Sequence, residues 1–460
     1  MASSTSAVLD VVVESKEISS FIKDKDLDPP SVLSDSTYDN SLLQSPSIES
    51  FSTIYDIENL SELNMDENSD LCVKIDNPEK YLETLETYIT FRITTKVARI
   101  EFTDNEYVVR RRYNDFLWLR QKLVECHPFC IVPPLPGKHS LMGQLDRYSK
   151  DFILLRMKAL NVFISRVTSH PILSCNEHFK LFLTLKQADF TLHRRQRHPV
   201  EQRVRTLSHS SSSHSALKSR HIEFDKTKVY LTTLSEKLSS IEKISSRINK
   251  ERSEYITELN SYHPIFTTWA MAETDLSETL RNIGSAMERS SAAQNALVQS
   301  YNNTVGNPVK DFLAYIDVVQ ETIRKRESYQ YAYEVSMDEL NKRHSEKDKL
   351  VAISQNPSQS AAGFSLWKQS SCDDKLEKLG TSIPHLIKKV ESNQDSLECA
   401  NESLRSDLQR WQLEKQQCLK KILLDFVNKQ INFYQATVNA WEYVTNELNQ
   451  QSAAVRTNLK

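Results

Sequence analysis

Glycine is scarce, with only 6 in 460 residues and none before Gly137. A phosphate-cradling loop needs several glycines within a few positions, so nucleotide binding of the P-loop or dinucleotide kind is excluded. Low glycine with abundant Leu, Glu, Lys, Gln and Ser points to long helices more than to sheets. The 7 cysteines are odd in number and scattered, which argues for reduced thiols in the cytosol and against a disulfide framework. No uncharged apolar run reaches the roughly 18 residues that a spanning helix needs. The opening "MASSTSAVLDVVVESKE" lacks the basic and apolar regions of a signal peptide. Any membrane contact is therefore expected to be peripheral. No Gly-x-Ser-x-Gly nucleophile motif occurs, and the acidic pairs fall on solvent faces, so no catalytic site and no enzyme are expected.

Positive charge is also missing where the chain starts. Residues 1–75 hold 15 Asp or Glu against 4 Lys and no Arg, a net of −11. The chain as a whole is −3, which leaves the remainder at +8. A basic body behind an acidic tail suits an anionic partner such as a phosphoinositide, a membrane or nucleic acid.

Composition shifts divide the chain. Residues 1–70, rich in Ser, Asp, Asn and Pro, have the character of a disordered acidic tail. Residues 71–188 read as a small α+β domain. "LCVKIDN", "TYITFRITT", "VARIEF" and "EYVVRRR" alternate like strands. In the helix from Tyr113 to Cys126, Phe116, Leu119 and Leu123 share one face. A proline-rich connector follows, and then two helical stretches, "DRYSKDFILLRMKALNVFISRV" and "HPILSCNEHFKLFLTL". Residues 189–217 form a basic and serine-rich linker, either a solvated spacer or an anion-binding segment controlled by phosphorylation.

Residues 218–455 read as helix throughout, in three segments with apolar steps of three and four. The seams include Leu231, Leu238, Ile241 and Ile248, then Phe312, Ile316, Val319 and Ile323, then Ile387, Val390, Leu404 and Trp411. Breaks are expected at "SYHPIF", with a kink at Pro264, at "NNTVGNP" and at "SQNPSQSAAGF". From Pro384 onward a continuous helix would span on the order of 100 Å. One apolar stripe per helix suggests a bundle that buries further surface by dimerising.

Arg110, Arg111 and Arg112 close a strand, so at most two of them face one site. An arginine fork fits phosphate oxygens, and Tyr113 can lay a flat ring against a polyol. The pair suits an inositol phosphate head group. Nucleic acid fits less well, because the strands offer no aromatic platform. Cys126, His127 and Cys130 lie close in sequence but lack a second ligand pair, so no metal and no cofactor are expected.

The stretch "RRRYNDFLWLRQKL", the loop "PPLPGK" and the helix "FILLRMKALNVFI" resemble, in order and spacing, the signature elements of a phox-homology (PX) domain. With the long helical region behind it, the chain is similar over residues 71–455 to sorting nexins of the PX-BAR class, in particular to the subgroup of sorting nexins 4, 7 and 30. The resemblance implies a three-stranded sheet packed on helices, then a three-helix BAR domain that dimerises. It implies phosphatidylinositol 3-phosphate as ligand, with Arg112 holding the 3-phosphate and Tyr113 stacking under the inositol ring. Lys138 would contact the 1-phosphate and Arg156 the ring hydroxyls. Leu141 and Met142 would either dip into the bilayer or pack at the loop base.

The implied role is a cytoplasmic protein, peripheral on early endosomes, that senses or shapes curved membrane in cargo sorting, endosomal recycling and autophagy. Its partner would be another sorting nexin or itself. Basic candidates for the membrane face of the helices are Arg324, Lys325, Arg326, Lys342, Arg343, Lys415, Lys420 and Lys421. The alternative is a coiled-coil scaffold or tether whose small domain recognises a protein.

Overall fold

The alternating strand residues form an antiparallel sheet in the order β1 (Ile48–Ser50), β2 (Leu71–Leu82), β3 (Thr87–Val97), β4 (Glu106–Arg112). The structure, a computed structural model, describes residues 48–50, 70–82, 87–137, 148–195, 217–219, 221–355 and 365–458. The tail, apart from β1, and most of the expected linker lie outside these residues. β2 carries a bulge between Asp76 and Glu79, where Asn77 takes a left-handed φ of 43°. Pro78, which cannot donate to a ladder, sits inside that bulge.

Four helices follow the sheet: α1 (Tyr113–Cys126), α2 (Lys150–Thr168), α3 (Glu177–Thr184) and α4 (Gln187–Arg195). Phe116, Leu119 and Leu123 of α1 are fully buried, as their shared face requires. Asn161 of α2 closes both backbone groups of Ile75, accepting its N–H at 2.9 Å and donating to its carbonyl at 2.7 Å. That clamp covers a stretch of β2 that β1 does not reach.

Several boundaries differ from expectation. "VARIEF" is not a strand: β3 ends at Val97, and the chain turns so that Arg99 pairs with Asp70 at 2.7 Å. "HPILSCNEHFKLFLTL" is not one helix, because Asn176 caps a new one, accepting from the His178 and Phe179 N–H groups. The first residues assigned to the linker are helical, since Phe190 of α4 is buried in the domain core.

The helical region comprises α5 (Ile222–Ala272), α6 (Ser277–Tyr301), α7 (Asn307–Gln355) and α8 (Ser365–Asn458). A π-turn at Asn302–Gly306 joins α6 to α7 without a break, so "NNTVGNP" interrupts nothing. Pro264 does not break α5 either; the turn comes later, at residues 273–276. There the helix is held by its neighbour. His263 Nδ1 lies 3.2 Å from the Gly284 carbonyl of α6, and a Cβ at Gly284 would meet Phe266 Cβ at 3.2 Å. Close packing offsets the lost hydrogen bond of the proline. Pro384 likewise lies inside α8, whose 94 residues extend about 140 Å at 1.5 Å per residue.

The bundle core joins Leu231 and Leu238 of α5 to Phe312, Ile316, Val319 and Ile323 of α7 and to Leu404, Trp411 and Ile422 of α8. Ile241, Ile248 and Ile387, expected in the same seams, are instead exposed. Ile131, from the proline-rich connector, inserts into this bundle core. Around it the small domain is pinned to the helices. Asp407 accepts from the Ile131 N–H at 2.6 Å and lies 3.1 Å from His170 Nε2. Arg166 of α2 pairs with Asp311 at 2.7 Å and Glu414 at 3.0 Å, and Phe129 meets Tyr329 edge-on at 4.7 Å. Buried ion pairs contribute modestly to stability but fix orientation, since losing one partner strands the other charge.

Candidate functional site

The three consecutive arginines have three different fates, dictated by strand alternation and by what lies on each face. Arg111 points inward and is fully buried. Its Nε donates to the Phe182 carbonyl at 3.0 Å and its Nη2 to the Leu185 carbonyl at 2.5 Å, so it caps the C-terminal end of α3. The guanidinium also lies 4.1 Å from the centre of the Phe190 ring. Burial pushes its pKa down to about 10. Arg110 and Arg112 share the other face. The bulge in β2 takes Arg110: its Nη2 donates to the Asn77 carbonyl at 2.7 Å, and its Nη1 pairs with Glu79 at 2.9 Å.

Arg112 ends the strand and precedes α1. Its backbone N–H donates to Asp115 Oδ2 at 2.9 Å, and its half-buried guanidinium lies over the Tyr88 ring at 5.6 Å. Asp115, itself buried, is held in turn by Arg194 of α4 at 2.9 Å. Tyr88, Asp115 and Arg194 were not singled out by the sequence. A carboxylate three positions into a helix is a capping signal that points to Asp115; Tyr88 and Arg194 gave none.

Tyr113 follows on α1, and the Arg156 guanidinium lies 4.4 Å from its ring centre and 4.4 Å from that of Phe152. Burial raises the Tyr113 phenol, with Arg156 and Arg120 opposing the shift. Burial lowers Arg156. The proline-rich loop is tied to the same three side chains through its carbonyls. Pro133 accepts from Arg120 Nε at 2.9 Å, Pro136 from the Tyr113 hydroxyl, and Gly137 from Arg156 Nη2 at 3.4 Å. The structure thus brings Tyr113, Arg156 and the loop together beside Arg112. Lys138, Leu141 and Met142 lie outside the described residues, Lys138 immediately after the pinned Gly137. Such a setting offers a guanidinium for a phosphate and an aromatic ring for an apolar ring face.

The Cys126, His127 and Cys130 group does not assemble: Cys126 is exposed, Cys130 is buried, and His127 Nε2 lies 3.0 Å from the Asn176 amide. A different trio, Cys130, His170 and Asp407, has its ligand atoms within 4.8 Å. His170 Nδ1 accepts from the Ile172 and Leu173 N–H groups at 3.1 and 3.2 Å, which leaves the ring proton on Nε2, facing Asp407. Both ring nitrogens are committed, and burial pushes the Cys130 thiol up to about 12. His170 and Asp407 form a hydrogen-bonded pin with the Cys130 thiol nearby, a group poorly suited to a metal.

Of the basic residues expected on a membrane face, two are buried. Arg326 donates from Nε to Asn401 at 2.7 Å and stacks on Phe224. Lys415 donates to the Tyr230 hydroxyl at 2.8 Å. Lys342, Lys420 and Lys421 are exposed. The helices also carry an apolar surface at heptad steps. On α5 it runs through Ile241, Ile244, Ile248, Tyr255, Tyr262, Ile265 and Trp269. On α8 it runs through Leu424, Val427, Ile431, Tyr434, Val438 and Trp441. Exposed seams at this spacing suit a further helix–helix contact. No described helix is long and apolar enough to cross a membrane.

Two family models match, the PX domain over residues 99–186 and "Vps5 C terminal like" over residues 201–447. Sorting nexin-30 of Mus musculus is 35% identical over 379 residues, covering 82% of this chain and 78% of the relative. Sorting nexin-7 of Homo sapiens is 32% identical over 382 residues, covering 83% and 89%. Sorting nexin-4 of Emericella nidulans is 25% identical over 411 residues, covering 83% of each. The SNX-BAR Mvp1 tetramer, solved by cryo-EM, shares the fold at a TM-score of 0.55 and 19% identity, over 81% of this chain and 99% of that one.

Proposed function

The chain belongs to the sorting nexin family, with a PX domain and a BAR-like helical domain, and from that premise we propose that it binds phosphatidylinositol 3-phosphate on early endosomes. Membership places it among membrane-associated trafficking proteins. The finer reading is a non-enzymatic adaptor, peripheral on the cytosolic side, that dimerises with itself or another sorting nexin. It senses or shapes curved membrane during cargo sorting, recycling and autophagy.

The observation that carries this reading is the setting of Arg112 and Tyr113. Arg112, whose guanidinium lies over the Tyr88 ring, directly precedes Tyr113 at the start of α1, and Tyr113 is stacked by Arg156 and tied to the proline-rich loop. Arg112 takes the 3-phosphate, Tyr113 supports the inositol ring, Arg156 reaches its hydroxyls and Lys138 the 1-phosphate. Leu141 and Met142 enter the bilayer interface. The exposed heptad seams on α5 and α8 support dimerisation. Two pockets on one dimer then bind a surface far more tightly than one, through effective concentration. The pins at Asp407 and Arg166 support a fixed angle between pocket and helices, so that lipid and curvature are read together.

Co-sedimentation with vesicles of different phosphoinositides and diameters, with and without a partner nexin, tests this. Preference for phosphatidylinositol 3-phosphate and for small vesicles is expected. Indifference to the phosphoinositide would favour a protein-binding scaffold instead.

A further inference from the structure

A cavity of about 280 Å³ lies where α1 and the connector face α7, lined from both regions of the molecule. Arg120 lines one side, two helical turns along α1 from Tyr113. Asp317, Glu321 and Lys325 line the other at steps of four, on one face of α7, together with Arg324.

The partners of these charges are uneven. Glu321 is occupied by Arg324, whose Nε and Nη2 donate to it at 3.2 and 3.1 Å. Arg120 uses Nε on the Pro133 carbonyl. Among the described residues no hydrogen bond or ion pair holds the half-buried Lys325 ammonium, and none holds the Asp317 carboxylate. Burial lowers the pKa of Lys325; the pull of Glu321 opposes this, and the weaker push of Arg120 adds to it. Burial raises Asp317 against Arg324. Arg120 and Lys325 are two cations on one cavity, and an anion placed between them would be attracted by both.

We propose that this cavity binds the phosphate of a small phosphorylated polyol, with Arg120 and Lys325 holding the phosphate and Asp317 accepting from polyol hydroxyls. Arg120 offers a directional fork and Lys325 a compact charge, a pair suited to one phosphate. The volume suits a single-ring ligand, near the small end of ligand pockets. The polyol phosphate is either a soluble metabolite or a lipid head group. Since Arg120 belongs to the PX domain and Lys325 to the helical domain, the ligand ties the two together. Arg120 also pins the loop beside the Arg112 pocket through the Pro133 carbonyl, but the site uses neither Arg112 nor Tyr113 and stands whether or not that pocket binds lipid.

The test uses the full chain carrying Arg112→Ala, which removes the other pocket's phosphate fork, with and without Lys325→Ala. Calorimetric titration with a soluble inositol trisphosphate and with inorganic phosphate is one arm. Co-sedimentation with phosphoinositide vesicles is the other. The Arg112→Ala chain should bind in at least one arm, and Lys325→Ala should weaken that binding at least about tenfold, the scale of one charged hydrogen bond. Lys325 dependence in the soluble arm identifies a metabolite; dependence confined to vesicles identifies a lipid. Without ligand, Lys325→Ala should melt close to its parent, because no described hydrogen bond or ion pair is lost. Equal binding with and without Lys325 in both arms would overturn the site, as would no binding in either. Inorganic phosphate binding as tightly as the trisphosphate would overturn the polyol assignment.

Discussion

The two domains bury their apolar residues to different degrees. In the PX domain the exposed large apolar residues among those described are Ile100, Val108, Ile172 and Leu192, scattered over separate elements. In the helical domain many of them line up at heptad steps along α5 and α8. The first domain completes its own core, and the site proposed on it is a polar one at the edge. The second leaves an apolar seam open, which suits contact with a second chain. Hydrophobic burial is roughly proportional to area, and a seam of six or seven large residues per helix represents a large unrealised stabilisation.

The seam offers the largest test of that contrast. Ile431→Glu with Val438→Glu should weaken dimerisation, with itself or with a partner nexin, by on the order of 4 kcal/mol, since a buried unpaired charge costs that much. Light scattering should show monomer mass with helical content unchanged. Dimer mass retained in the variant would show that the seam is not the interface.

The boundary between the domains comes next. Burial pushes the Asp407 carboxyl up, but the hydrogen bond from His170, the charge of Arg410 and the Ile131 N–H outweigh it and hold the group below its usual range. Asp407→Ala strands these donors and should cost about 3 kcal/mol in urea unfolding. Asp407→Asn, which keeps an acceptor, should cost less. Because the carboxyl pKa is depressed, its contribution is present above the unfolded value near pH 4 and is lost as pH falls below it. The wild type should therefore lose more stability than Asp407→Asn on acidification through that window. A smaller effect is expected at Gly284, where the added Cβ would press on Phe266 Cβ at 3.2 Å. Gly284→Ala should cost about 1–2 kcal/mol in the same unfolding assay, the usual scale of overpacking.

Much of this was legible in sequence because it depends on local period. Alternation located β2, β3 and β4, and the spacing of Phe116, Leu119 and Leu123 gave the buried face of α1. Motif order singled out Arg112, Tyr113 and Arg156, and the structure packs Arg156 on the Tyr113 ring. What failed depends on distant neighbours. Pro264 reads as a kink until α6 packs against it through Gly284. Arg326 and Lys415 read as surface charge until Asn401 and Tyr230 receive them. Ile241 and Ile248 share a period with Leu238 but face the open seam, and a period does not say which stripe is already covered. Tyr88 lies 24 positions from Arg112 and gave no signal.

The most direct measurement sets neighbouring arginines against each other on phosphatidylinositol 3-phosphate vesicles. Arg112→Ala should lose about 10- to 100-fold in binding, the scale of one or two charge-assisted hydrogen bonds, with a melting temperature close to wild type. Arg111→Ala should do the reverse in kind, losing about 3 kcal/mol of stability because buried carbonyls at the end of α3 go unpaired. Undiminished vesicle binding by a folded Arg112→Ala chain would contradict the account.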